Sequence, residues 1–90
     1  MNRKNISVLG GGSWGTVLAY LASLNGNQVN LWMRDNNLAQ EINKTSINKR
    51  YLPNLELGKN ITATSHIADI KNSDLIIFCV PSDAFRDVSV

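Results

Sequence analysis

The stretch SVLGGGSWGTVLAYL, Ser7–Leu21, sets four glycines (Gly10, Gly11, Gly12 and Gly15) between two apolar runs. A glycine inside a strand or helix costs about 0.5–1 kcal/mol relative to alanine, so this cluster marks a place that needs bare backbone. Upstream, NISVLG (Asn5–Gly10) reads as a short strand with Ile6, Val8 and Leu9 apolar. Downstream, from Trp14 to about Leu24, the spacing becomes helical: Val17, Leu18, Leu21 and Leu24 share one face, and Gly26 suits the left-handed position beyond the helix end. The glycines therefore occupy a strand-to-helix turn.

Beyond that turn the chain keeps alternating. QVNLWM (Gln28–Met33) reads as a second strand, and NNLAQEINK (Asn36–Lys44) as a short helix capped by Asn36 or Asn37. RYLPNLELGKN (Arg50–Asn60) reads as irregular, broken by Pro53 and Gly58. ITATS (Ile61–Ser65) is a third strand, followed by a helical turn or two in HIADIKNS (His66–Ser73). DLIIFCV (Asp74–Val80) is almost continuously apolar, as a strand buried on both faces would be, and Pro81 closes it. The order β-α-β-α-β-α-β predicts an α/β fold of the Rossmann type, a doubly wound parallel sheet with right-handed crossovers and helices on both faces. Such a fold uses about six parallel strands. Four are counted here, so residues 1–90 are expected to be the N-terminal part of a larger dinucleotide-binding domain, with Val90 as a truncation point.

Composition narrows the functional classes. Hydrophobic residues make up 43% and charged residues 18% of the chain, the balance of a globular rather than a disordered protein. A net charge of +2 is too small to imply nucleic acid or an anionic membrane as partner. The basic run NKTSINKR (Asn43–Arg50) reads as a solvated face. Cys79 is the only cysteine, which fits a reducing compartment and reads as a small buried hydrophobe; His66 is the only histidine, so no metal-ligand cluster exists. Arg3 and Lys4 before VLAYLASL resemble the start of a secretory signal, but the glycines interrupt its apolar core. No run is long enough to span a bilayer.

In this context Gly10-x-Gly12-x-x-Gly15 is a dinucleotide-binding fingerprint. Gly10 permits the tight turn, Gly12 removes the side chain that would block a pyrophosphate, and Gly15 lets the helix pack close to the strand. Freed amides and the helix dipole then favour the phosphates. Cofactor choice is read at the end of the second strand, where NAD sites usually carry an acid about 20 residues after the fingerprint. Counting from Gly15, Arg34 lies 34 − 15 = 19 residues on, with Asp35 next. A guanidinium there suits the 2′-phosphate of NADP, and Asp35 keeps NAD open as a weaker ligand.

The segments GGGSWGTVLA, LWMRD, NKRYLPN, NITATS and VPSDAFRDV, in that order, resemble the N-terminal domain of bacterial NAD(P)-dependent glycerol-3-phosphate dehydrogenases over nearly the whole chain. The resemblance implies reduction of dihydroxyacetone phosphate to sn-glycerol 3-phosphate for phospholipid synthesis, in the cytoplasm, with a homodimer compatible. It sets Ser13 and Trp14 against the pyrophosphate, Arg34 on the 2′-phosphate, and Tyr51 and the loop Val80-Pro81-Ser82 at the border of the cofactor. Gly11 departs from the alanine common in the family. The family's catalytic lysines and helical substrate domain follow the point where this chain stops, and no lysine here matches them, so the ninety residues alone are expected to reduce nothing. Two other readings stay open: a free-standing nucleotide-binding or redox-sensing module, and another reductase with the same fingerprint, such as a ketopantoate or hydroxyacid reductase.

Overall fold

The computed structural model describes residues 4–10 and 12–79. Strands β1 (Asn5–Leu9), β2 (Gln28–Trp32), β5 (Ile61–Thr64) and β6 (Leu75–Phe78) form one sheet in the order β5-β2-β1-β6, with every neighbouring pair parallel. Helix α1 (Ser13–Leu24) connects β1 to β2, and helix α2 (Asn36–Thr45) follows β2. Between α2 and β5 lies a separate two-stranded antiparallel ribbon, β3 (Ile47–Asn48) with β4 (Leu52–Glu56). A single 3-10 turn, Ile67–Ile70, makes the last crossover to β6. The expected α/β architecture is present, with the third helical connection reduced to that one turn.

Register explains the core. The pairs Val8–Leu31 and Leu31–Ala63 align side chains in a row across three strands, and Val29 and Ile61 extend the same face. Ala19 of α1 and Leu38, Ala39 and Ile42 of α2 join this row in one buried cluster. Both helices therefore cover the same face of the sheet. Across the opposite face the 3-10 turn buries Ile70, and the hydroxyls of Ser7 and Ser73 share a hydrogen bond.

Three local expectations change. The face that α1 buries is not the leucine row: Gly15, Thr16, Ala19 and Ser23 face inward, while Leu21 and Leu24 are exposed. Small residues at this spacing let the helix axis approach the strands closely, and that need overrides the apolar periodicity. The cap of α2 is Asp35 rather than Asn36 or Asn37; its carboxylate accepts the Leu38 N–H at 3.1 Å. The segment read as irregular, Arg50–Asn60, supplies strand β4, which pairs with β3 in the ribbon. Pro53 is tolerated because a two-stranded ribbon leaves one edge of each strand without a partner, so a missing N–H costs no ladder bond there.

Strand β6 is less enclosed than its apolar sequence suggests. Ile77, opposite Val8, packs on the core, but Leu75, Ile76 and Phe78 are exposed, Phe78 by 74%. Among the described residues β6 is an edge strand with β1 as its only neighbour, so the expected burial on both faces is absent there. Cys79 is half-buried against the core cluster. Gly11 and the loop Val80-Pro81-Ser82 lie outside the described residues.

Candidate functional site

The strand ends on one side of the sheet are held level by backbone hydrogen bonds. Gly10 N–H donates to Trp32 O at 2.9 Å, Cys79 N–H to Leu9 O at 2.8 Å, and Met33 N–H to Thr64 O at 2.9 Å. These are the carboxyl ends of parallel strands, where open α/β sheets bind their ligands. A cavity of about 560 Å³ opens there, within the range of small-molecule and cofactor sites.

The fingerprint glycines divide into two kinds. Gly10 has φ +126°, and a Cβ on it would fall on the backbone carbonyl of Cys79, so both its conformation and its neighbour demand glycine. A Cβ on Gly15 would fall on the carbonyl of Gly10, where the first turn of α1 crosses the end of β1. Gly12 is the opposite case: among the described residues a Cβ there meets nothing within 4 Å. Its missing side chain leaves space in the cavity instead of relieving a contact in the fold.

Gly12 is also the N-cap of α1, so Ser13 is the first helical residue. The cap has no side-chain hydrogen bond, and the first turn carries no acidic residue. The opening N–H groups of a helix have no acceptor within it, and here the described residues offer neither a side-chain cap nor an acid in the first turn, which leaves the positive end of the dipole open to an anion. A buried pair supports this turn. Thr16 Oγ1 donates to Gly12 O at 2.8 Å and accepts from Asn48 Nδ2 at 2.8 Å, with Thr16 and Asn48 both fully buried. Asn48 of β3 thereby reaches the glycine turn through one hydroxyl. We expect Asn48→Ala to lower stability by about 1–3 kcal/mol, by emptying a packed site and leaving a buried hydroxyl short of a donor. Urea unfolding measures this, and an unchanged midpoint would mean that the pair contributes nothing net.

The far wall is charged. Arg34 follows β2, lines the cavity, is exposed, and has no ion pair among the described residues. Asp35 beside it is fully engaged: Oδ1 accepts the Leu38 N–H, and Oδ2 accepts from Arg50 Nη2 at 2.9 Å. The Leu38 backbone bond, then the Arg50 guanidinium, hold the Asp35 carboxyl below its ordinary value of 3.8, and the same pairing raises Arg50. Arg50 and Tyr51 arrive at the cavity on the tip of the β3–β4 ribbon.

All seven residues expected at the site, Gly10, Gly12, Ser13, Trp14, Gly15, Arg34 and Tyr51, line this one cavity. Trp14 is 72% and Tyr51 42% exposed, so both stand at its rim. Arg50, Trp32, Met33, Leu38 and Cys79 line it as well and are not apparent from the sequence. For Arg50 the only signal is its place beside Tyr51. The solvated-face reading of Asn43–Arg50 fails at Asn48, which is buried; Arg50 and Asn43 are exposed, but Arg50 pairs with Asp35 and the Asn43 amide exchanges two hydrogen bonds with Ala63 of β5. Among the described residues no group of three or more His, Cys, Asp or Glu side chains is arranged to hold a metal, and no helix is long and apolar enough to cross a membrane.

Comparison with known proteins gives a consistent picture. A glycerol-3-phosphate dehydrogenase [NAD(P)+] from Acinetobacter baumannii is 49% identical over 84 residues, covering 92% of this chain and 24% of the relative. The enzyme of the same description from Halothermothrix orenii is 43% identical over 84 residues, 92% of this chain and 25% of the relative. The crystal structure of glycerol-3-phosphate dehydrogenase from Coxiella burnetii superposes with a TM-score of 0.84 at 34% identity, over 96% of this chain and 27% of that one. The chain thus spans about a quarter of the length of these relatives. Residues 5–90 match the family described as NAD-dependent glycerol-3-phosphate dehydrogenase N-terminus, and the chain belongs to that family.

Proposed function

We propose that residues 1–90 form the N-terminal, cofactor-holding part of a glycerol-3-phosphate dehydrogenase that prefers NADP(H) and reduces dihydroxyacetone phosphate to sn-glycerol 3-phosphate. The observation that carries this reading is the contrast within the fingerprint: Gly10 and Gly15 are closed in by backbone, while Gly12 faces open space before an uncapped helix N-terminus. A cradle of that shape fits a pyrophosphate.

In this reading the amides of Ser13, Trp14 and Gly15 hold the phosphates, with the Trp14 ring at the rim. Arg34, lacking an ion pair among the described residues, grips the 2′-phosphate through paired hydrogen bonds. Tyr51 borders the adenosine side. Trp32, Met33 and Leu38 exclude water from the inner wall. Asp35 leaves NAD as a weaker ligand. The nicotinamide, when bound, supplies the hydride. No catalytic acid is assigned to these residues: holding the substrate carbonyl and its developing alkoxide falls to groups outside them. The family resemblance extends the proposal to a cytoplasmic homodimer that serves glycerophospholipid synthesis.

The test uses the protein expressed from its complete reading frame, with dihydroxyacetone phosphate and either NADPH or NADH. Oxidation of NADPH that depends on this substrate is the expected result, and absence of nucleotide binding would overturn the reading. Replacing Arg34 with Asp should erase or reverse the preference for NADPH, a change of about 1–3 kcal/mol for a charge-assisted contact. Equal relative affinities before and after the exchange would remove Arg34 from the 2′-phosphate site.

A further inference from the structure

Resting on the cofactor reading above, we infer that Arg50 is a second residue determining specificity for the 2′-phosphate: it neutralises Asp35 and adds a guanidinium beside Arg34.

Arg34 and Asp35, side by side, set two opposite charges at the end of β2. The acid that usually accepts the ribose 2′-hydroxyl in NAD sites falls at the end of the second strand, and Asp35 lies there, beside Arg34. An unpaired carboxylate at that point would repel a 2′-phosphate and weaken the preference that Arg34 implies. Asp35 is not unpaired. One oxygen caps α2 through the Leu38 N–H, and the other is taken by Arg50 at 2.9 Å. Two guanidinium groups against one carboxylate give this wall of the cavity a net charge of +1, counting Arg34 and Arg50 as +2 and Asp35 as −1.

Topology explains why a residue fifteen positions away does this. The β3–β4 ribbon folds back beside the start of α2, and its tip delivers Arg50 and Tyr51 to the cavity. The Arg50 side chain is 54% exposed, so its bond to Asp35 is an accessible surface pair, which is exchanged at little cost. A planar guanidinium has enough donors to keep a carboxylate oxygen on one side while offering N–H groups to a phosphate on another. Lysine, a point charge without that fork, would serve only partly.

Adenosine 2′,5′-bisphosphate and adenosine 5′-monophosphate are suitable probes, since they differ in the 2′-phosphate alone and bind without turnover. Calorimetry on the protein expressed from its complete reading frame compares the wild type with Arg50→Ala and Arg50→Lys. Arg50→Ala should weaken the bisphosphate about tenfold and move the monophosphate less than about twofold, with Arg50→Lys in between. Circular dichroism should be unchanged, because the cap from Asp35 to Leu38 remains. Equal weakening of both probes, or no change in either, would overturn the inference while leaving the cofactor site intact. Failure of the wild type to bind either probe would instead overturn the underlying reading, and this inference with it.

Discussion

Gly12→Val is expected to abolish dinucleotide binding while leaving the fold intact. The two halves of this result come from different observations. Gly12 has φ −76° and ψ −167°, extended backbone that any residue can adopt, and a Cβ there meets no atom of the described residues within 4 Å. The folded chain therefore has no objection to a side chain at this point. The ligand does: a valine would fill the space through which a pyrophosphate approaches the Ser13–Gly15 amides. Raising the phosphates away from those amides loses both their hydrogen bonds and the dipole of α1. The loss should reach at least roughly 100-fold in affinity, about 2.8 kcal/mol. Calorimetry with NADPH measures it, with urea midpoints of the two proteins compared alongside. Undiminished binding would show that the open space above Gly12 is not where the nucleotide lies. Gly12→Ala, with one methyl, should fall between the two.

Much of this site is legible in the sequence because its demands are local. A strand, a Gly-x-Gly-x-x-Gly turn and a helix are consecutive, so spacing alone places Gly10, Gly12 and Gly15, and the length of one βαβ unit places Arg34. What the sequence does not disclose depends on the return of distant chain. Arg50 comes to Asp35 only because β3 and β4 pair, and a two-residue strand opposite LPNLE, with a proline in it, has no periodicity to read. Asn48 looks like one more polar residue in a basic run, yet it is fully buried, its amide donating to the Thr16 hydroxyl under the glycine turn. The inward face of α1 departs from the leucine row for a related reason. Hydrophobic periodicity finds the face with the most apolar area, whereas a helix that must sit against a glycine turn turns its smallest side chains inward. On β6 the apolar run does form a strand, Leu75–Phe78, but burial depends on neighbours that a run of letters does not specify.

Gly15→Val tests the fold as Gly12→Val tests the ligand, and its largest effect should be on stability. A Cβ at Gly15 would coincide with the carbonyl of Gly10, which is backbone and cannot swing aside as a side chain would. Nor can Gly10 retreat: at φ +126° it is itself packed against the Cys79 carbonyl, and its N–H is held by Trp32 O at 2.9 Å. The remaining movement is of α1 away from the sheet. That opens the buried cluster that Ala19 shares with Val8, Val29 and Leu31, and it strains the bond from Asn48 to Thr16. Overpacking ordinarily costs 1–3 kcal/mol, and a backbone-on-backbone overlap belongs at or above the upper end, about 3 kcal/mol or more. A domain with only about 5–15 kcal/mol in total would lose a large share of its stability. Because the change lies in the folded state, the urea midpoint should fall with little change in slope. Alanine substitutions separate the two glycines sharply. Gly15→Ala should lower the midpoint and weaken the nucleotide only as α1 shifts, while Gly12→Ala should hold the midpoint and weaken the nucleotide directly. A Gly15→Ala protein as stable as the wild type would mean that α1 does not rest on the Gly10 carbonyl.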